Sequence, residues 1–189
     1  MAKDTKQIVI QALLNIMSEN GILNLEEITR RTGVTRNTIQ KNFNNQGIDG
    51  IFDFIYSQIL TEINDRLFQH DPNELPIEIF ADIVLNILWK HRDVIRILSI
   101  SDRLHQAIIQ FTELSFPWIK KRYELLVKIN NLSPIISPKK LYSLWNNHFF
   151  GIISIWLSEQ YPVKPCVFKP KFCFLIRTSM YDLIYKDIK

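Results

Sequence analysis

Apolar residues recur every three to four positions along most of the chain, and strand-like alternation is sustained nowhere. This pattern predicts an all-α protein of about nine helices joined by short loops. From Thr5 to Asn20 it sets Val9, Ala12, Leu13, Ile16 and Met17 on one face, and Gly21 supplies a stop. Asn24 is an N-cap for a short helix ending at Thr32-Gly33, with Glu26 and Glu27 in the first turn, where the helix dipole favours acids. Thr35 caps a third helix running from Arg36 to about Phe43. Two short helices joined through a glycine-containing turn form a helix-turn-helix candidate.

Beyond the polar turn at 44–47, an amphipathic connector runs from Asp49 to Phe68. Pro76 opens a helix from Ile77 to Lys90, which continues after Asp93 through Ile100. A long segment from Asp102 to Asn131 should bend or split at Pro117, which lacks an amide donor. After a loop, Ser137 or Pro138 opens a helix reaching Glu159; Val163 to Pro170 reads as a linker, and Phe172 to Tyr185 as a last helix. The expected organisation is a helix-turn-helix domain at 1–47 and a larger helical domain at 48–189.

Hydrophobic residues make up 47% of the composition, which excludes disorder. The longest strongly apolar stretch, Phe149 to Leu157, is shorter than the roughly 18 residues a membrane span needs, so no membrane contact is expected. The residues after Met1 lack a basic stretch followed by an apolar one, which predicts a cytoplasmic protein. A net charge of +4 permits an anionic partner without deciding for one. Cys166 and Cys173 are too few for a disulfide framework and have no zinc-type spacing, so both read as packing residues, with no metal or cofactor. There is no Gly-rich phosphate loop, nucleophile elbow or distinctive acid pair, which argues against an enzyme.

Reading bases with a helix in the major groove requires an apolar inner face to anchor it and polar side chains outside to reach base edges. Val34, Ile39 and Phe43 can turn inward onto Ile28 and the Ala12 to Ile16 face, leaving Thr35, Arg36, Asn37, Gln40 and Lys41 outward. Arg pairs bidentately with guanine and Asn or Gln with adenine, while hydroxyls, amides and Lys hold phosphates. A solvated helix shows a polar outer face too. From about Lys6 to Phe52 the chain places Ile8 and Ala12, Gly21, Ile28, then Gly33-Val34-Thr35-Arg36-Asn37-Thr38-Ile39 and a closing Asn42-Phe43. That order of residues resembles the tetracycline-repressor (TetR) family of bacterial transcription regulators. It implies DNA contacts at Thr35, Arg36, Asn37, Thr38, Gln40, Lys41 and Asn42. It also implies a homodimeric repressor on a palindromic double-stranded operator, released by a small-molecule effector that shifts the two DNA-reading heads through the connector at 49–68. Two positions depart from the family: Gln40 stands where a tyrosine is common, and Gln46-Gly47 where a phosphate-binding lysine opens the fourth helix. Lys41, Arg30, Arg31, Lys3 and Lys6 are the cations that could compensate. The alternative is a helical adaptor or sensor of the same fold that has lost operator binding and acts through a protein or ligand partner.

In the larger domain, aromatic residues with a few polar tips suit a pocket between helices as well as a core. The candidate ligand residues are Trp89, Phe111, Trp118, Trp145, His148 and Phe149; His148 lies on the Leu141, Trp145, Ile152 stripe. Asn147, Gly151, Ser154 and Ser158 form a stripe of smaller residues where another helix could approach. Leu175, Ile176, Ser179, Met180 and Leu183 continue an apolar stripe in the final segment. Together the two stripes are the expected dimer interface.

Overall fold

The computed structural model describes residues 2–100, 104–131 and 133–178; among these there are helices and loops and no strand. The chain gathers into two compact units divided between Thr61 and Glu62.

The first unit holds α1 (Ala2–Ser18), α2 (Leu25–Thr32), α3 (Arg36–Asn42) and the N-terminal part of α4 (Gly47–Leu67). α1 packs on α2 and α3, and α2 on α3. Val9, Leu13, Ile16, Ile28, Ile39 and Phe43 are buried together with Ile51 and Phe52 of α4, and Phe54 meets Phe43 edge to face at 5.7 Å. The first turns of α4 therefore belong with the short helices, and the unit ends inside α4, beyond residue 47.

Local chemistry sets the helix ends. Asn24 Oδ1 accepts the Glu27 amide at 2.7 Å, and Gly33, at φ 69°, returns its N–H to the Thr29 carbonyl. Thr35 Oγ1 accepts the Thr38 amide at 3.2 Å. α3 closes with Phe43 N–H on Ile39 O and Asn45 N–H on Gln40 O, with Asn44 and Asn45 in left-handed conformations that asparagine tolerates.

Glu27 is the charged hinge of α2. Its carboxylate accepts from Arg30 and Arg31, each at 2.7 Å, and Arg31 also reaches Glu19 at 2.8 Å. Hydrogen bonds from Arg30 and then Arg31 hold the Glu27 carboxyl down at about 2, against an ordinary value of 4.5. A carboxyl lowered by folding contributes stability that is full above its unfolded value and lost as pH falls toward its folded one. Glu27→Gln is therefore expected to lower the melting temperature slightly near neutral pH, with a deficit that shrinks between pH 4.5 and 2. Thermal melts across that window check this; a constant deficit would show that the ion pairs are not its source.

The second unit holds the end of α4 with α5 (Ile77–Lys90), α6 (Arg92–Ile100), α7 (Leu104–Ile129), α8 (Pro138–Ser158) and α9 (Pro165–Leu175). α5 packs on α6 and α9, and α8 on α6, α7 and α9. Where α4 nears its end, Glu62 accepts from Lys90 and from His91, the residue closing α5, at 3.0 Å each. α7 runs through Pro117 as one helix, so of the expected bend or split the split does not occur; the lost helical bond leaves the carbonyl of Glu113, an exposed residue that water can serve. One expectation is corrected here. The stretch 163–170 is not a linker, because α9 begins at Pro165, a first-turn position where proline's missing amide costs nothing, and Phe168 and Phe172 bury its inner face. Residues 179–189, including the expected final turns to Tyr185, lie outside the described residues.

A polar seam joins α7 to α8. Asn146 Nδ2 donates to Thr112 Oγ1 at 2.9 Å, and the Thr112 hydroxyl donates to the Ile108 carbonyl at 2.8 Å. Tyr142 OH donates to Ser115 Oγ at 2.8 Å, and Ser115 donates to the Phe111 carbonyl. Burial pushes the Tyr142 phenol up, keeping it the protonated donor. Among the described residues no helix is long and apolar enough to cross a membrane.

Candidate functional site

α3 turns Ile39, fully buried, and Phe43 into the first unit, while Val34 is half-buried before its start. Thr35, Arg36, Asn37, Thr38 and Lys41 are exposed, and Gln40 and Asn42 lie at the edge, half-buried. The Thr35 and Thr38 hydroxyls bond each other at 2.9 Å, and Asn42 Nδ2 donates back to the Thr38 carbonyl at 2.8 Å. Three of the seven side chains are thus engaged in holding the helix. Among the described residues, Arg36, Asn37 and Lys41 have no side-chain partner.

The other cations do not share that freedom. Arg30 is paired with Glu27 at 2.7 Å and Arg31 with Glu27 and Glu19 at 2.7 and 2.8 Å, and Lys6 Nζ sits 4.0 Å from the centre of the Phe54 ring. Among the described residues, Lys41 is the one proposed compensating charge without a partner; the Lys3 side chain lies outside them.

The second unit contains a cavity of about 630 Å3. Phe80 of α5, Phe111, Phe116, Trp118 and Tyr123 of α7, and Tyr142 and Trp145 of α8 line it, with Ile176 and Arg177 closing one side. Tyr142 and Trp145 lie nearly parallel, 11° apart with centroids at 5.9 Å. Ser115 and Tyr142 bring the polar seam to the wall. Two α7 side chains one turn apart grip the loop between α4 and α5: Trp118 Nε1 donates to His70 O at 3.1 Å, and Arg122 donates to Pro72 O and Leu75 O at 3.0 and 3.1 Å.

No protein-family model, curated protein or solved structure matches the chain.

Of the six residues expected to meet a ligand, Phe111, Trp118 and Trp145 line the cavity. Trp89 does not; it stacks on Trp156 at 5.7 Å, and Arg92 covers its ring at 5.0 Å. His148 donates from Nε2 to the Leu175 carbonyl at 3.0 Å, and Phe149 is enclosed by Phe80, Trp145, Phe150 and Phe172. Sequence reasoning left out Ser115, Arg122 and Tyr142, although the four-residue spacing of Trp118, Arg122 and Leu126 marks one face of α7.

The two stripes assigned to dimerisation fare differently. Asn147, Gly151 and Ser158 are exposed and Ser154 half-buried, and a Cβ on Gly151 would meet nothing within 4 Å. Leu144 and Ile155, at 62% and 67% exposure, extend that face. Ile176, however, is buried at the cavity wall and Leu175, the last residue of α9, is half-buried. Ser179, Met180 and Leu183 lie outside the described residues. Cys166 is exposed and does not pack, whereas Cys173 is half-buried, and burial pushes its thiol up.

Proposed function

We propose that the chain is a TetR-like DNA-binding transcription regulator and not an enzyme: a homodimeric repressor whose α2 and α3 form a helix-turn-helix and whose effector binds in the second unit. One observation carries this reading. On α3, anchored by Ile39 and Phe43, the side chains of Arg36, Asn37 and Lys41 are presented outward with no internal partner among the described residues, and they are the residue types that pair with guanine, adenine and phosphate. The exposed α8 face around Gly151 supports the dimer, and a dimer suits a palindromic operator because two heads engage two half-sites.

Fluorescence-anisotropy titration against the promoter beside the chain's own gene and a scrambled duplex, at two salt concentrations, tests the reading. Tight, salt-sensitive binding to the promoter alone is expected. Arg36→Ala should weaken that binding by about 1–3 kcal/mol and relax preference at one base, while Lys41→Ala weakens all duplexes alike. Equal losses on promoter and scrambled DNA after Arg36→Ala would refute its base-reading role.

A second reading is a helical adaptor or sensor that has lost operator binding. The capture of Arg30 and Arg31 by Glu27 and of Lys6 by Phe54 favours it, since these leave few cations for phosphate. No binding to either duplex at low salt would move the assignment there.

A further inference from the structure

Charge accounting around the cavity leaves one cation over. Arg177 pairs with Glu78 at 2.8 Å and Lys120 with Glu124 at 3.4 Å, so those two positive charges are matched. Arg122 is half-buried, and its contacts are the neutral carbonyls of Pro72 and Leu75; among the described residues no carboxylate lies within ion-pair distance of it. A partly desolvated cation without a counter-charge, beside an apolar space, favours an anion brought by a ligand. The walls specify the rest of that ligand. Trp118, Tyr142 and Trp145 offer ring faces and edges, which reward flat π-systems beyond their buried area. The Tyr142 and Ser115 protons are already committed within the seam, so that wall offers acceptors only and has no donor to spare for a second anionic group.

We propose that this cavity binds a planar aromatic molecule carrying a single negative charge, an arylcarboxylate in its simplest form, with the anion at Arg122 and the rings against Trp118, Tyr142 and Trp145. The site gives the effector of the regulator a chemical class, and it rests on that reading only for what binding does to DNA.

Isothermal titration of the full chain with 2-naphthoate tests it, with naphthalene-2-carboxamide as the neutral planar comparator and decahydro-2-naphthoate as the charged, non-planar one. Naphthoate is expected to bind at least about tenfold more tightly than either. Arg122→Gln should bring naphthoate down to the carboxamide's affinity while changing the carboxamide by less than about twofold, and Trp145→Leu should weaken both planar probes. Arg122 also anchors the 70–75 loop, so Arg122→Lys, which keeps the charge, should preserve the preference for naphthoate over carboxamide. If the glutamine variant fails to fold, the ranking of the three probes on the unmodified chain decides. Equal affinity for naphthoate and either comparator, or no heat from naphthoate at about 1 mM, overturns the proposal. Naphthoate binding by a chain that ignores both duplexes would sink the repressor reading and leave the cavity assignment standing.

Discussion

Gly50→Ala is expected to destabilise the first unit by about 3 kcal/mol or more, at or beyond the upper end for overpacking. Gly50 lies in the first turns of α4, and an added Cβ would fall on the carbonyl oxygen of Phe43, with the Phe43 carbon at 3.1 Å and the Gln46 side chain at 3.2 Å. The obstructing atom is backbone, in the turn that closes α3, so no rotamer change relieves the clash. The turn must open, and with it goes the seating of Phe43 and the outward row of α3. All four tryptophans, Trp89, Trp118, Trp145 and Trp156, belong to the second unit. Circular dichroism should therefore show part of the helical signal melting early, while tryptophan-selective fluorescence keeps its midpoint. An unchanged dichroism curve would contradict the close approach described here, whereas an equal fall in both signals would mean that the two units unfold together.

In the second unit, Trp156→Ala should cost about 3–5 kcal/mol, the range for deleting a large buried aromatic. Trp156 is buried, with Phe168 of α9 stacked on it at 4.6 Å and Trp89 of α5 at 5.7 Å, so three helices meet through its ring. Its Nε1 also donates to the Val163 carbonyl at 2.9 Å, holding the approach to α9. Trp156→Phe keeps most of the ring contact but loses that hydrogen bond, and should cost clearly less. Urea unfolding followed by circular dichroism separates the two; equal losses would mean that the hydrogen bond, not the stack, carries the effect.

What was readable from the chain was what acts locally. Asn24, Gly33 and Thr35 serve amides and carbonyls three or four residues away, so the ends of α2 and the start of α3 follow from residue order. The inward side of α3 followed from spacing in the same way. Which aromatic rings face a space and which face another ring did not, because periodicity gives a side of a helix and not what stands opposite. Trp89 and Phe149 sit on apolar faces as Trp145 does, yet only Trp145 reaches the cavity. Arg122 was passed over because a lone arginine on a helix normally reads as solvated; its value comes from the carbonyls of a loop some fifty residues earlier. Gly50 did carry a signal, an isolated glycine inside an amphipathic helix, which usually marks a close approach. The start of α9 is hard to see in the sequence because a proline-rich stretch looks like a linker, whereas Pro165 occupies the first turn, which tolerates a missing amide.

The polar seam between α7 and α8 limits how the neighbouring space can respond to an occupant. Thr112 faces Asn146 and Ser115 faces Tyr142, two rungs fixed by direction as well as by contact. Sliding one helix past the other by a turn, about 5.4 Å, would strand both rungs in an apolar interior. The hydrogen bonds add a directional constraint to the packing of the two faces. The two rungs therefore tie α7 and α8, which supply most of the rings around the cavity, to a single register.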